Sequence, residues 1–303
     1  MKQGTTIITL DNGYHLWTNT QAKAIFTCSP SMVALVATMN IGKILLNKLK
    51  KQGLNVQVHM YDQLGSWYSD QPDYSDPKIA DKYLTYDYFL DEVEEVRQKL
   101  GIDQFYLIGQ SWGGALVQMY AAKYGQHLKG AIISSMVDNI DEYVAHVNQV
   151  REEALPADAV AYMKKQEAAN NYDDPQYQKY VDVLNAGYVD RKQPAAISHL
   201  IPTMSRPVYG AFQGDNEFVI TGKLKEWQFE SHLSEIKVPT LLTFGEHETM
   251  PVATAKRMAT EIPHARLVTT PEGGHHHMID NAPVYYDHLA TFICDVENDQ
   301  FND

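Results

Sequence analysis

The sequence predicts an α/β protein with a mostly parallel central sheet that is interrupted by a helical insertion. A predicted strand, helix and strand follow one another within residues 105–135, which is typical of the βαβ unit of a parallel sheet. The same alternation of short apolar strands and helices resumes near the C-terminus. Between them, residues 138–235 are rich in Tyr, Gln, Asn and acidic residues and show no strand series. We therefore expect a core of residues 1–137 and 236–303, with residues 138–235 forming a helical cap.

The composition indicates a globular protein whose negative charge disfavours binding to polyanions. The chain has 303 residues, of which 44% are hydrophobic, and a formal net charge of -13. Such a charge repels phosphate groups, so we expect neither nucleic acid nor membranes as partners. The two cysteines, Cys28 and Cys294, show no CxxC spacing, which favours a reducing compartment. Because no signal peptide or membrane-spanning run is visible, we predict a cytoplasmic protein, and the oligomeric state stays open.

Each element of the predicted core has its own signal. Apolar segments on both sides of Asp11–Gly13 predict a β-hairpin, and residues 54–62 predict a strand. From Tyr86 to Leu100, apolar residues at helical spacing predict a helix that Gly101 terminates. The remaining core elements are the strands FYLIG, GAIISS, PTLLTFG and ARLVTT and the helices GALVQMYAAKYG, VATAKRMATEI and APVYYDHLATFICDV.

The strongest chemical signal is the segment FYLIGQSWGGALVQMY. It places Gly109, Ser111 and Gly113 in a Gly-x-Ser-x-Gly pattern between a buried strand and a helix. This pattern is typical of a nucleophile elbow, in which a sharp turn presents the serine at the edge of the sheet. The alternatives are a glycine-rich turn with an incidental serine, or a phosphate-binding loop. The phosphate-binding alternative is disfavoured because no GxxxxGK[ST] pattern is present.

A serine nucleophile needs a base and an acid, which follow it in the order Ser, Asp/Glu, His. The segment TPEGGHHHMID after a predicted strand offers His275 as the base, with His276 and His277 as competitors. No HExxH or similar spacing predicts a metal site. The loop GEHETMP, after the strand PTLLTFG, offers Glu246 and Glu248 as the acid, and we favour Glu248.

These motifs resemble those of the proline iminopeptidases (prolyl aminopeptidases and the related prolinases) of the α/β-hydrolase superfamily. The similarity covers nearly everything except residues 26–48, and GQSWGG is much more specific than a bare Gly-x-Ser-x-Gly. The other similar segments are MYDQLGSWYSDQP, GDNEFVITGKLKEW, LSEIKVPTLLTFGEHETM and the GGH loop. The resemblance implies an α/β-hydrolase fold with an inserted cap. It also implies release of N-terminal proline from peptides without a metal or a cofactor.

The resemblance also implies a site for the substrate's free amino terminus. In the family a glutamate in the stretch that matches GDNEF pairs with the ammonium group, and this role falls here on Glu217. Two positions depart from the family pattern. Glu248 stands where most members have aspartate, and Thr249 stands where some members have a second glutamate. Glu246 is the candidate for that second amine contact.

The oxyanion loop is the largest departure. The backbone N–H of Trp112 supplies one oxyanion donor, but the HGGPG loop that would supply the other is absent. At its expected site stands SMVALVATMNIGK. When the codons are read one nucleotide earlier, Met32–Val33 must yield glycine, Met39–Asn40 must yield glutamate, and residues 32–43 permit HGGPGGNHEYWE. Our hypothesis is that residues 26–48 are a frame-shifted copy of the family loop. The alternative is a divergent loop that still functions.

The sequence therefore predicts a serine exopeptidase that releases N-terminal proline from small peptides through an acyl-enzyme. Ser111 is the predicted nucleophile, His275 the base and Glu248 its partner, and Glu217, Trp112 and Glu246 are the predicted substrate-binding residues. Two alternatives remain open. One is a carboxylesterase that uses the same triad and does not need Glu217. The other is a non-catalytic protein of the same fold, for which the missing oxyanion loop is the best argument.

Overall fold

The strands of this computed structural model form one eight-stranded sheet. The structure describes residues 3–22, 31–35, 47–51, 53–54, 56–192 and 204–301. Within these ranges the strand order is β1-β2-β4-β3-β5-β6-β7-β8. The strands are β1 (Gly4–Thr9), β2 (His15–Ala22), β3 (Ser31–Leu35), β4 (Val56–Tyr61), β5 (Phe105–Gln110), β6 (Leu128–Ser134), β7 (Thr240–Gly245) and β8 (Ala265–Thr270).

The sheet begins with a hairpin and continues as a parallel sheet. β1 and β2 pair antiparallel, and the turn between them contains Gly13 at φ 91°, a conformation that favours glycine. β2 also pairs antiparallel with β4, whereas every pairing from β4 to β8 along the sheet is parallel. The predicted hairpin and the predicted mostly parallel sheet are both confirmed.

The central strands are apolar on both faces because helices cover both faces of the sheet. In β5, Leu107 packs with one hydrophobic cluster, while Tyr106 and Ile108 pack with another that contains the C-terminal helix. Continuous apolar strands are typical of parallel sheets that are buried on both sides. This pattern explains why segments such as FYLIG showed no polar alternation.

The helices include the four core helices that the sequence predicted and two short ones, Pro77–Tyr83 and His277–Asp280, that it did not. They are α1 (Pro77–Tyr83), α2 (Tyr86–Lys99), α3 (Trp112–Tyr124), α4 (Ile140–Ala154), α5 (Ala157–Ala168), α6 (Pro175–Tyr188), α7 (Arg206–Phe212), α8 (Val252–Glu261), α9 (His277–Asp280) and α10 (Ala282–Glu297). In α2 the Thr85 side chain accepts a hydrogen bond from the Tyr88 N–H, and Phe89 and Val93 are buried. Gly101, at φ 62°, follows this helix, as the sequence predicted.

Helices α4 to α7 lie between β6 and β7, where the sequence predicted a helical cap. The described residues of this segment contribute no strand to the sheet and contain only two isolated bridges, Asn139 with Gln228 and Asn216 with Val219. Side chains of Asn139 and Asp174 cap the first residues of α4 and α6. We keep the boundaries of the cap, residues 138–235, as a proposal.

The segment SMVALVATMNIGK, at the expected site of the oxyanion loop, begins as a strand. Residues Ser31–Leu35 form β3, which pairs parallel with β4 on one side and β5 on the other. The rest of the predicted loop, residues 36–43, lies outside the described residues, and so does Cys28. Among the described residues, no helix is long and apolar enough to cross a lipid bilayer.

Candidate active site

The candidate nucleophile lies in a strained turn between β5 and α3. Ser111 adopts φ 54° and ψ -123°, a conformation that residues other than glycine rarely adopt. The turn needs a glycine at 109, because a Cβ there would lie 2.0 Å from the carbonyl oxygen of Gly113. The Ser111 N–H donates to the carbonyl of Ser134 in the neighbouring strand at 2.9 Å. This is the geometry of a nucleophile elbow, with the serine at the N-terminus of a helix.

The candidate base lies on the loop after β8, against the carboxyl ends of the central strands. Its loop packs tightly, because a Cβ at Gly245 would lie 2.3 Å from the carbonyl oxygen of Gly274. The His275 carbonyl accepts a hydrogen bond from Gln110 Nε2 at 2.9 Å, and the His275 N–H donates to Tyr188 in α6 at 2.7 Å. The loop that carries His275 is thus bonded to the residue before Ser111 and to the helical segment.

The candidate acid forms a short, buried contact with the base. Glu248 Oε1 lies 2.6 Å from His275 Nδ1, and both side chains are at most 2% exposed. Ser135 Oγ donates to Glu248 Oε2 at 2.6 Å, and the Thr249 N–H donates to Oε1 at 2.9 Å. Thr249 Oγ1 also lies 3.2 Å from His275 Nδ1. These contacts determine the orientation of both the carboxylate and the imidazole.

The electrostatics of this pair favour its charged state. Burial alone would raise the pKa of Glu248, but the charge and hydrogen bond of His275, with the bond from Ser135, outweigh burial and hold that pKa well below its usual range. Burial alone would likewise lower the pKa of His275. The carboxylates of Glu248, Glu217 and Asp190 outweigh burial and raise that pKa above its usual value.

The other ring nitrogen of His275 has no hydrogen-bond partner among the described residues, Ser111 included. This atom, Nε2, is buried, and the nearest charged atom recorded for it is Glu217 Oε2 at 3.9 Å. Catalytic hydrogen bonds are often long in free enzymes and shorten when substrate binds. Nε2 is the atom that would take the proton of Ser111.

Glu217 faces the candidate triad from the segment between α7 and β7. Its carboxylate is 17% exposed, and Tyr209 Oη donates to Oε1 at 2.8 Å. Tyr143 Oη donates to the Glu217 carbonyl at 2.5 Å and lies 3.4 Å from Oε2. Burial raises the pKa of both phenols, so both hydroxyls stay neutral donors. The structure thus brings Glu217 next to His275, and its pairing with a substrate's ammonium group stays a prediction.

Trp112 begins α3, so its N–H has no carbonyl partner within the helix and can serve an oxyanion. Its indole ring packs against Phe212, with ring centroids 4.0 Å apart, and against Tyr86 and Phe89. Phe212 ends α7, the helix that carries Tyr209. This aromatic cluster therefore joins the nucleophile elbow to the predicted cap.

Glu246 does not join the other site residues. Its carboxylate accepts a hydrogen bond from the Glu272 N–H at 2.9 Å, and its side chain is 52% exposed. Oxygen and nitrogen atoms of Glu246, His247 and Glu272 lie within 4.8 Å of one another, but the Arg191 guanidinium already lies 3.5 Å from Glu272. The contacts of Glu246 give no support to its predicted role as a second amine contact.

The two competing histidines have other partners. His276 Nδ1 lies 2.5 Å from Asp190, and His277 Nε2 lies 3.1 Å from Ser134 Oγ. Burial lowers the pKa of His277 to about 4, so this side chain is neutral at physiological pH. Of the three adjacent histidines, His275 is the one in contact with Glu248.

The sequence reasoning missed four residues that contact the candidate site: Ser135, Tyr143, Tyr209 and Thr249. Ser135 is the last residue of the predicted strand GAIISS, at the edge where Ser111 lies, and this position was an available signal. Thr249 was noted only as a departure from the family. Tyr143 and Tyr209 had no signal among the many tyrosines of the insertion.

Comparisons with known proteins identify relatives of this chain. The family described as alpha/beta hydrolase fold matches residues 39–282. The proline iminopeptidase of Flavobacterium johnsoniae is 31% identical over 254 residues, which cover 81% of this chain and 82% of the relative. The proline iminopeptidase of Chitinophaga pinensis is 33% identical over 258 residues, which cover 82% and 84%. That of Saccharolobus solfataricus is 33% identical over 257 residues, which cover 84% and 80%.

Solved structures agree on the fold. A crystal structure of a proline iminopeptidase from Mycobacterium smegmatis matches with a TM-score of 0.82 at 21% identity, over 97% of this chain and 98% of that one. The crystal structure of VinJ matches with a TM-score of 0.83 at 23% identity and the same coverage. At such identities the likeness establishes the fold. Together with the sequence relatives, it shows that this chain is an α/β hydrolase and belongs to the proline iminopeptidase family.

Proposed function

We propose that this protein is a serine exopeptidase that releases N-terminal proline from small peptides through an acyl-enzyme. One observation carries the proposal. The Glu217 carboxylate, which two tyrosines contact, lies 3.9 Å from His275 Nε2, an atom with no hydrogen-bond partner among the described residues. A carboxylesterase with the same triad would not need this carboxylate, because a neutral ester carries no cation to pair with it. An exopeptidase needs one to pair with the free amino terminus of its substrate.

The proposed reaction begins when Ser111 Oγ attacks the carbonyl carbon of the N-terminal proline. His275 Nε2 takes the hydroxyl proton, while Glu248 stabilises the resulting imidazolium through Nδ1. The Trp112 N–H donates to the tetrahedral oxyanion. His275 then gives its proton to the departing amine, which leaves the prolyl ester on Ser111. A water molecule, activated by His275, hydrolyses this ester and releases proline.

Substrates that differ only at the amino terminus test the proposal. Wild-type protein is given proline p-nitroanilide and its N-acetyl form, and the release of nitroaniline is followed. We expect turnover of the free imino substrate and a loss of at least about a hundredfold with the acetylated one, because a charge-assisted contact at a buried site is lost. Labelling of Ser111 by a fluorophosphonate, with Ser111→Ala as control, shows independently whether the serine is reactive.

The outcomes separate the three functions that the sequence left open. Equal rates on the free and acetylated substrates would refute the exopeptidase. Fast hydrolysis of simple esters with no turnover of either anilide would favour a carboxylesterase. A folded protein that neither hydrolyses these substrates nor reacts with the fluorophosphonate would favour a non-catalytic role.

A further inference from the structure

Glu217 lies close enough to His275 to act on it as well as on a substrate. Its Oε2 is 3.9 Å from His275 Nε2, and the two side chains are 17% and 2% exposed. Building on the proposed function, we propose that Glu217 holds His275 in its protonated, inactive form until a substrate's ammonium group takes Glu217 as its own partner. The amino terminus of the substrate would then switch on the base that cleaves it.

The first step of the argument is that Glu217 has one oxygen available. Tyr209 Oη donates to Oε1 at 2.8 Å, so Oε1 already has a strong partner. Among the described residues, Oε2 has only Tyr143 Oη, at 3.4 Å, as a hydrogen-bond partner, and it faces His275. An incoming ammonium group must therefore use the same oxygen that faces the imidazolium. The two cations compete for Oε2.

The second step concerns the charges around His275. Three carboxylates raise its pKa: Glu248 at Nδ1, Glu217 on the Nε2 side, and Asp190. Two other histidines lie nearby: His276, whose ring centroid is 5.6 Å from that of His275, and His277, which burial keeps neutral. His276 is itself paired with Asp190. Of these three carboxylates, Glu217 is the one that the proposed function pairs with the substrate's ammonium group. Substrate binding would therefore neutralise the charge of Glu217.

The third step is the proton balance. In the free enzyme the proton is on Nε2, so this atom cannot accept the proton of Ser111. When an ammonium group pairs with Glu217, the imidazolium loses its counter-charge and releases the Nε2 proton to solvent. The lone pair on Nε2 then accepts from Ser111 Oγ. No other reactant is needed, and a neutral ester, which carries no cation, leaves the enzyme in its protonated form.

The test compares wild-type protein with Glu217→Gln on a substrate that has no amine. The rate of Ser111 labelling by a neutral fluorophosphonate, and kcat/KM for p-nitrophenyl acetate, are measured as a function of pH. An opposite charge at this range shifts a pKa by about one to three units, so the acidic limb of both profiles should move to lower pH by that amount in the variant. At pH values between the acidic limb of the variant and that of wild type, the variant should react at least about ten times faster than wild type.

The matched control is Glu153→Gln, which removes an exposed carboxylate of α4 that accepts a hydrogen bond only from Gln149 among the contacts recorded for it. Its profiles should coincide with those of wild type. A variant limb that does not move, or a variant slower than wild type at every pH, would overturn the proposal. These measurements use no proline substrate, so they are independent of the proposed exopeptidase activity. If the pH profiles shift as expected but wild-type protein does not hydrolyse proline p-nitroanilide, the exopeptidase is refuted and the Glu217–His275 coupling stays supported.

A second measurement avoids substitutions at the site. The ring signals of His275 in wild-type protein, assigned by their absence in His275→Gln, are titrated by NMR with and without L-prolinol, a cationic amine with no carbonyl to cleave. The titration midpoint should fall by about one unit or more when prolinol is bound. An unchanged midpoint with prolinol bound would contradict the proposal even if the Glu217→Gln protein were misfolded.

Discussion

Substitution of Glu248 by glutamine tests the candidate triad most directly, because the sequence left two acids on one loop. Glu248 Oε1 accepts from the Thr249 N–H and lies 2.6 Å from His275 Nδ1, while Oε2 accepts from Ser135 Oγ. A glutamine has the same shape but only one acceptor oxygen. If that oxygen faces Thr249 and His275, the amide NH₂ group faces Ser135. The Ser135 hydroxyl can then rotate and accept a hydrogen bond from this NH₂ group.

The cost of Glu248→Gln is therefore mainly the loss of charge. In a serine protease triad, an amide in place of the acid lowers kcat by about 10⁴. We expect kcat/KM for proline p-nitroanilide to fall by about 10³ to 10⁴, which corresponds to about 4 to 5.5 kcal/mol of transition-state stabilisation. Since Glu248 contributes the largest upward effect on the pKa of His275, the acidic limb of the profile should also move to lower pH.

The assay measures kcat/KM from about pH 5 to about pH 9 for wild type, Glu248→Gln and Glu246→Gln. Glu246 lies on the same loop, and its carboxylate accepts from the Glu272 N–H instead of contacting His275. We expect Glu246→Gln to stay within about threefold of wild type, since surface changes are usually small. Thermal melts check that both variants are folded. A folded Glu248→Gln protein within tenfold of wild type, or an equally large loss in Glu246→Gln, would refute this assignment.

Four further predictions follow from particular contacts. Ser135→Ala removes one donor to Glu248, so kcat/KM should fall by about 10- to 100-fold in a protein that melts like wild type, and an unchanged kcat/KM would contradict this. Tyr209→Phe removes a donor to Glu217, so KM for proline p-nitroanilide should rise by about tenfold while kcat changes less, and a kcat loss alone would contradict this. A chain with HGGPGGNHEYWE at residues 32–43 should exceed the chain as written by about 10² to 10³ in kcat, and equal rates would mean that the second oxyanion donor comes from elsewhere. Burial raises the pKa of Glu92 to about 8, above its unfolded value, so the folded state binds the extra proton and loses stability as pH rises toward 8. Glu92→Gln should flatten this fall in Tm, and parallel curves for both proteins would contradict it.

Most of the fold could be predicted from local patterns. The helical spacing of Phe89, Val93 and Val96 and the glycine at 101 placed α2 within about one residue of its observed ends. The segment ARLVTT matched β8 in full. Such elements are set by side-chain periodicity and by turn residues, which act over a few positions. Residues 31–35 also behaved as their apolar character suggests, since they form a strand between β4 and β5.

Within the site, the sequence by itself determined the residues whose roles depend on a local motif or on chain order. The elbow around Ser111 needs a glycine two residues before the serine, because no Cβ fits at Gly109. His275 follows from its place after a late strand. The sequence favoured Glu248 over Glu246 on the same loop, and the tertiary structure shows that Glu248 is the one whose side chain contacts His275.

Tertiary structure also decided the contacts that act on the base. Ser135 reaches Glu248 across 113 residues of sequence, and Gln110 reaches the His275 carbonyl across 165. Apart from the family resemblance, nothing in the sequence set Glu217 apart from the other acids of the insertion, and only the fold places its Oε2 beside His275 Nε2. Hydrogen bonds and charge interactions act over a few ångströms in space and are independent of separation along the chain. For this reason the sequence determined which groups this protein possesses, whereas only the folded chain decided which of them act on one another.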